Sequence, residues 1–107
     1  MTVVHDGSNI PTVDPKDPDS DSWYEFTLAL QAGETLNSIA WLINGTAVND
    51  SDIVDGLQFV TSTVSGEAFR AQLSGGTAGK FYLLTVRYST NQQPSEDRSM
   101  RLMVKSL

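Results

Sequence analysis

The strongest structural signal in this chain of 107 residues is the run Leu73-Ser74-Gly75-Gly76-Thr77-Ala78-Gly79-Lys80-Phe81-Tyr82-Leu83-Leu84-Thr85-Val86. Its pattern predicts the end of one strand, a glycine-bearing corner, and a second strand that opens with Tyr82. In two-layer β-sandwiches, a tyrosine at such a corner sends its ring into the core, and its hydroxyl binds the backbone of the preceding loop. We therefore expect Tyr82 to fix the path of the chain between two sheets.

Apolar residues recur at every second position on both sides of this corner, which is the spacing of half-buried strands. Asn44-Gly45 and the glycine of Val64-Ser65-Gly66-Glu67 supply hairpin turns between these series. Residues 46–56 and 90–96 are polar and are predicted to be loops. The inward-facing series are Tyr24, Phe26, Leu28 and Leu30; Ile39, Trp41 and Ile43; Leu57 and Phe59; Phe69, Ala71 and Leu73; Tyr82, Leu84, Val86 and Tyr88; and Met100, Leu102 and Val104.

Six strands and one edge strand near residues 10–13, at short spacing with turn residues between them, predict an all-β fold. The expected architecture is an antiparallel immunoglobulin-like β-sandwich of about seven strands, with an extended N-terminal arm. Prolines, acids and small polar residues in the first part of the chain favour extended, solvated backbone. We therefore divide the chain into residues 1–22, an N-terminal arm or linker, and residues 23–107, the sandwich domain.

Three residues are expected to form the centre of the core. Trp41 lies on the second strand, where immunoglobulin-like domains place a buried tryptophan. Leu84 stands two residues after Tyr82, at the place where antibody domains have a cysteine, so apolar packing is expected to replace a disulfide. Tyr82 itself completes this structural core.

The composition disfavours several classes of function. The formal charge of -6 has the wrong sign for attraction to phosphate backbones or anionic lipid, which argues against nucleic-acid and membrane-surface binding. The chain has no cysteine, so it forms neither a disulfide nor a thiolate zinc site. No apolar run reaches the roughly 20 residues of a bilayer span, and residues 1–6 lack the features of a signal peptide. We expect a protein that is not exported.

The motifs that suggest catalysis or cofactor binding are incomplete. Residues 74–80 lack the first glycine of a phosphate loop, and no helix pattern follows them. His5, the only histidine, lies in the predicted arm without a partner to orient it as a base. The alternating acids of residues 17–21 lack the glycine and glutamate of an EF-hand, although a looser calcium site shared with another loop stays open. We therefore expect a non-enzymatic protein without catalytic residues, cofactor or a recognised metal motif.

The exposed features that remain are the arm, two loops and a few apolar side chains. Trp23, Phe81 and Met103 lie on faces opposite the core series, and a cluster of such residues marks an interface. An extended arm is a common way to reach a neighbouring subunit. The predicted interface residues are Asp14, Asp17, Asp19, Asp21, Trp23, Asp50, Asp52, Gln92 and Gln93.

Several segments together resemble a family of small tailed-bacteriophage proteins, described as fiber-tail adaptor or neck-associated proteins with an immunoglobulin-like fold. The most particular segment is the Leu-Ser-Gly-Gly-Thr-Ala-Gly-x-x-Tyr-x-Leu-Thr corner of residues 73–85, and the similarity covers most of residues 14–104. The resemblance implies a virion structural protein without catalytic residues, assembled in the host cytoplasm and present in several copies in a ring. Such a protein joins portal, connector or tail subunits to fibers through protein-protein contacts.

A carbohydrate-binding or adhesion module is the alternative hypothesis. In such a module, exposed aromatics such as Trp23 and a calcium-linked acid cluster contact sugar. The fold alone does not separate the two hypotheses, because function resides in particular surfaces rather than in the sandwich.

Trp41→Ala is expected to be a folding mutation rather than a functional one. Truncation of a buried aromatic side chain to alanine typically costs about 3–5 kcal/mol. Chemical denaturation followed by circular dichroism measures this loss in the free energy of unfolding. A loss below about 1 kcal/mol would contradict the placement of Trp41 in the core.

Overall fold

A computed structural model describes residues 12–28 and 30–106 of the protein. These residues form eight strands and no helix, and hence no helix that could cross a membrane. The sequence-based expectations for Ile10 and His5 lie outside the described residues, and the division at residue 22 stays a prediction. The strands are β1 (Asp21–Thr27), β2 (Leu36–Ile43), β3 (Thr46–Val48), β4 (Asp52–Val54), β5 (Leu57–Ser65), β6 (Ala68–Gly75), β7 (Phe81–Thr90) and β8 (Glu96–Met103).

The strands form two four-stranded sheets, in the orders β1-β6-β5-β4 and β3-β2-β7-β8. All pairings within the sheets are antiparallel. The core lies between the sheets and contains the inward series of β7, namely Tyr82, Leu84, Val86 and Tyr88. The prediction of an all-β antiparallel sandwich is confirmed, and its immunoglobulin-like subtype stays a prediction.

Residues 46–56 are not one loop, as the sequence suggested, but contain the short strands β3 and β4. Each strand is joined to a longer neighbour by a two-residue turn, Asn44-Gly45 before β3 and Asp55-Gly56 after β4. All four turn residues have positive φ, from 50° to 87°, which is the requirement of a type I′ hairpin. Three-residue strands are too short to show an alternating pattern, so β3 and β4 were missed in the sequence analysis.

Trp41 lies at the centre of the core between two other rings. Its indole is 6.0 Å from the ring of Phe26 and 5.8 Å from the ring of Phe59, measured between centroids. Both phenylalanines belong to the opposite sheet, so this stack joins the two layers. Leu84 is fully buried beside it, which shows that apolar packing occupies the centre of a chain without cysteine.

The corner before β7 is held by the hydroxyl of Tyr82. This hydroxyl donates to the carbonyl oxygen of Asp55 at 2.6 Å and accepts the backbone N–H of Thr77 at 3.0 Å. The predicted bond to the preceding loop is therefore present, and a second bond reaches the β4–β5 turn. A Cβ at Gly56 would lie 2.9 Å from Oγ1 of Thr77, and one at Gly76 would lie 2.5 Å from a methyl carbon of Val104. Because both positions are glycine, the side chains of Thr77 and Val104 can pack directly against the backbone there.

The segment before β1 packs against the edge of β8. The N–H of Val13 donates to the carbonyl of Arg101 at 3.0 Å, and the N–H of Lys16 donates to that of Met103 at 2.8 Å. The expectation of a solvated backbone is wrong for this segment, because the outer edge of β8 offers carbonyls that residues 12–16 satisfy. The segment runs parallel to β8.

Tyr82→Phe is expected to lower the free energy of unfolding by about 1–3 kcal/mol, because it removes two part-buried hydrogen bonds, to the carbonyl of Asp55 and from the N–H of Thr77. Urea denaturation measures the change. The matched control is Tyr88→Phe, on the same face of β7 and also buried. Equal destabilisation of both variants would show that the two hydrogen bonds contribute little.

Candidate functional site

The predicted interface residues occupy three separate places in the fold. Asp14, Asp17, Asp19, Asp21 and Trp23 lie along the edge formed by β1, β8 and the segment of residues 12–20. Asp50 and Asp52 lie at the opposite edge, where β4 ends its sheet. Gln92 and Gln93 lie in the loop after β7, at the far end of that strand from the tyrosine corner. The structure therefore gives three surfaces, and no single site combines them.

The exposed apolar residues do not form one cluster either. Trp23 faces outward from the sheet that contains β1, and Phe81 and Met103 are paired on the outer face of the other sheet. Trp23 is 42% exposed, and the guanidinium of Arg70 lies 4.9 Å from its ring centroid. One face of this indole is thus occupied by a cation within the same chain.

A groove of about 390 Å³ separates the N-terminal segment from β1. Asp14 and Trp23 are on its walls, so two of the predicted interface residues do meet there. Met100 of β8 also lines the groove, and the other lining residues belong to residues 13–15 and 22–25. Both carboxylates on its walls, those of Asp14 and Glu25, belong to exposed residues, and burial raises the pKa of the Tyr24 phenol that also lines it.

Lys16 is the residue of this edge that sequence analysis missed. Its side chain is only 2% exposed. The ammonium group donates to the carbonyl oxygens of Asp17, Ser20 and Gly75, with distances of 2.8 Å to the first and last of them. A lysine between two Asp-Pro pairs gives no sequence signal of burial, because its burial depends on a carbonyl 59 residues away.

Burial lowers the pKa of the Lys16 ammonium, and the charges of Asp21, Asp17 and Asp19 oppose that effect. Three backbone carbonyls and three nearby carboxylates are the surroundings that a buried cation needs. The acids predicted for the interface therefore have a role within the chain. Among residues 12–28 and 30–106, no three acidic, histidine or cysteine side chains come close enough together to hold a metal ion.

The acids at the β4 edge also shape their own loop. A carboxylate oxygen of Asp52 accepts the backbone N–H of Asn49 at 2.8 Å, which closes the turn before β4. Asp50 is exposed, and its carboxylate lies 3.5 Å from the hydroxyl of Thr61. Between these acids and Asp55 lies Ile53, which is 64% exposed. Ile53 was not among the predicted interface residues, because a single isoleucine in a polar run is a weak signal.

The loop that carries Gln92 and Gln93 is fixed by Thr90. Both backbone N–H groups donate to the hydroxyl oxygen of Thr90, at 3.1 and 3.0 Å. That hydroxyl donates to a carboxylate oxygen of Glu34 at 2.6 Å, and this bond holds the pKa of Glu34 below its usual range. The two glutamine side chains are exposed on a loop of defined shape.

A cleft of about 530 Å³ opens between β2, β3 and β5. Trp41 and Phe59 line it from the core side, and Asn49, Asp50 and Ser62 supply polar groups at the rim. The indole N–H of Trp41 is buried without a hydrogen-bond partner among the described residues.

Lys16→Met is expected to destabilise the protein by about 2 kcal/mol, because methionine retains the apolar stem but leaves three carbonyls without their shared donor. Urea denaturation measures the change. The control is Lys105→Met, at an exposed lysine that follows β8. For this variant we expect a destabilisation of less than about 0.5 kcal/mol. Equal values for the two variants would contradict an anchoring role for Lys16.

Comparison with known proteins gives a match to a protein-family model. The family model described as podophage GP4 fiber-tail adaptor protein gp77 matches residues 16–103. No curated protein and no solved structure shows a significant match. The matched range extends from the buried Lys16 to the last residue of β8, so it includes both sheets and the five residues before β1. The chain belongs to the podophage fiber-tail adaptor family.

Proposed function

We propose that this protein is an adaptor of the neck and tail region, which links portal, connector or tail subunits to fibers. The family match over residues 16–103 carries the proposal, because the family is one of fiber-tail adaptors and its members are virion components. In this proposal the protein acts through protein-protein contacts and is not an enzyme. It is present in several copies, arranged as a ring, and is assembled in the host cytoplasm.

The surfaces available for such contacts are the strand edges and the loops. The largest aromatic side chains of the core, such as Trp41 and Tyr82, are used to join the two sheets and are not accessible. Exposed acids lie at the β1–β8 edge and at the β4 edge, and two exposed amides lie beyond β7. Adaptors need more than one docking surface, and three separated surfaces on a rigid sandwich suit that need. The net charge of -6 supports protein partners over nucleic acid or an anionic membrane.

The N-terminal segment is proposed as one of the contact regions. Its residues 12–16 are hydrogen-bonded to β8, and the ammonium of Lys16 ties the following turn to the end of β6. Thr12, the first described residue, is bridged to Arg101 of β8. A tether attached in this way reaches a neighbouring subunit without weakening the core that holds it.

A carbohydrate-binding module remains the alternative, and the described residues give it no specific support. Sugars stack on the open face of an aromatic ring, and Arg70 already covers one face of Trp23. Binding on a glycan array that is lost with a chelator would favour this alternative over the adaptor.

Deletion of residues 1–11 is expected to leave a folded protein that enters phage particles about tenfold less than the full chain, because it removes a second point of attachment. The truncation retains Lys16 and the hydrogen bonds to β8. Particles assembled without the protein are mixed with each purified variant, and incorporation is measured by quantitative mass spectrometry. Thermal unfolding of the variant serves as the control for folding. Normal incorporation of a folded truncated protein would count against the tether.

A further inference from the structure

The charges of this protein are distributed unevenly along the chain. Residues 80–106 contain five of the seven basic residues and only two of the thirteen acidic ones. Residues 17–69 contain no basic residue at all. The net charge of -6 is therefore the sum of a positive C-terminal part, which contains the β7–β8 hairpin, and a strongly negative remainder.

The positive surface has an apolar centre. Phe81 is 58% exposed and is paired with Met103. The neighbouring pair, Tyr82 and Leu102, points into the core. Because side chains alternate along a strand, Phe81 and Met103 face outward. Arg101 lies on this outward face, and Lys80 and Lys105 are exposed beside it. We call Lys80, Phe81, Arg101, Met103 and Lys105 the cationic patch.

The described residues form two ion pairs, Arg70–Glu25 and Arg87–Asp97, and neither involves the cationic patch. Lys80, Arg101 and Lys105 therefore make no ion pair with another described residue. An exposed phenylalanine beside such cations suits an acidic surface that has its own apolar centre.

The β4 edge has the opposite character. Ile53 is 64% exposed and is paired with Gln58 of β5. The β5 residues on either side of Gln58, Leu57 and Phe59, lie in the core. Ile53 therefore faces outward. In the sequence, Asp50, Asp52 and Asp55 lie close to it, and all three are exposed. Asp52 points to the face of β4 opposite to Ile53, because its pair Phe59 lies in the core. We call these four residues, Asp50, Asp52, Ile53 and Asp55, the acidic edge.

The two surfaces do not meet within one chain. Ile53 is on the outer face of the sheet β1-β6-β5-β4, and Phe81 is on the outer face of the sheet β3-β2-β7-β8. The outer faces of a two-layer sandwich point in opposite directions. The two most exposed large apolar side chains of the described residues therefore lie on surfaces that only different molecules can bring together.

We propose that the acidic edge of one copy of this chain docks on the cationic patch of the next copy, in a head-to-tail contact that also forms in solution. In this contact Ile53 packs against Phe81 and Met103, and the exposed carboxylates of Asp50 and Asp55 lie near Lys80, Arg101 and Lys105. Such a contact joins two different surfaces, so successive copies form a ring where the rotation closes. The inference rests on the multi-copy arrangement in the proposed function and assigns its two contact surfaces.

Disulfide trapping tests the contact, and the absence of cysteine in the chain makes this test clean. Ile53→Cys and Phe81→Cys are made as separate full-length variants, mixed and oxidised, and the dimers are resolved by mass. The mixed dimer is expected to exceed either homodimer by about tenfold, because docking raises the effective concentration of the two thiols. The control replaces Phe81→Cys with Val64→Cys, whose side chain is 44% exposed at another site. Mixed dimers no more abundant than with Val64→Cys would overturn the proposal.

Charge reversal tests the same contact without cross-linking. Arg101→Glu is expected to weaken the self-association measured by analytical ultracentrifugation about tenfold at low salt, through repulsion from the acidic edge. Mixing Arg101→Glu with Asp50→Lys is expected to restore association between the two variants. Unchanged association of Arg101→Glu, or loss without restoration in a folded pair of variants, would overturn the assignment of these surfaces.

The outcomes also separate this inference from the proposed function. Failure of both tests, with normal entry of the protein into particles, overturns the head-to-tail contact and leaves the adaptor role in place. Specific trapping of Ile53→Cys with Phe81→Cys, without entry of the full chain into particles, supports the contact and overturns the adaptor role.

Discussion

The hydroxyl of Tyr82 is the constraint on which the described structure depends. It joins the β4–β5 turn to the corner between β6 and β7 through two hydrogen bonds, and it does so from a ring buried in the core. The corner is where the chain crosses from one sheet to the other. A side chain that satisfies a carbonyl and an N–H of two different turns fixes both the distance between the sheets and the register of β7. The Trp41 stack then fills the space that this corner defines.

Lys16 extends the same logic to the N-terminal segment. Its ammonium binds three carbonyls, and the one of Gly75 belongs to the end of β6 next to the tyrosine corner. The segment is therefore fastened to the part of the fold that is itself most constrained. A buried cation without a direct carboxylate contact is stable here because carbonyl dipoles and nearby aspartates replace the lost water. For an adaptor, this gives the preceding residues a firm point of attachment.

Outside the core, two exposed surfaces of the sandwich differ in the sign of their charge. The cationic patch and the acidic edge are far apart in sequence, and each has one exposed apolar residue, Phe81 or Ile53, among charges of one sign. Neither Phe81 nor Ile53 belongs to the core cluster. Contact between copies gives both surfaces one explanation, and it agrees with a family of proteins that act by assembly.

The candidate site could be predicted only in part. Exposure of Trp23 and Phe81 followed from the alternation in their strands, because the face opposite a core series must point outward. The grouping of interface residues did not follow, because the acids of the N-terminal segment, the β4 acids and the two glutamines lie on strands and loops whose neighbours are set by sheet order. Lys16 was missed for the same reason, since the carbonyl of Gly75 is remote in sequence.

The amino-acid sequence by itself determined the six longer strands, their inward faces, the turns at Asn44-Gly45 and around Gly66, and the tyrosine corner. These features depend on alternation and on local backbone preferences, which neighbouring residues specify. Only the tertiary structure decided that β4 and β3 end their sheets, that residues 12–16 cover β8, and that a lysine is buried. The physical reason is that edges and buried cations are defined by contacts between distant segments, whose energies no local pattern records.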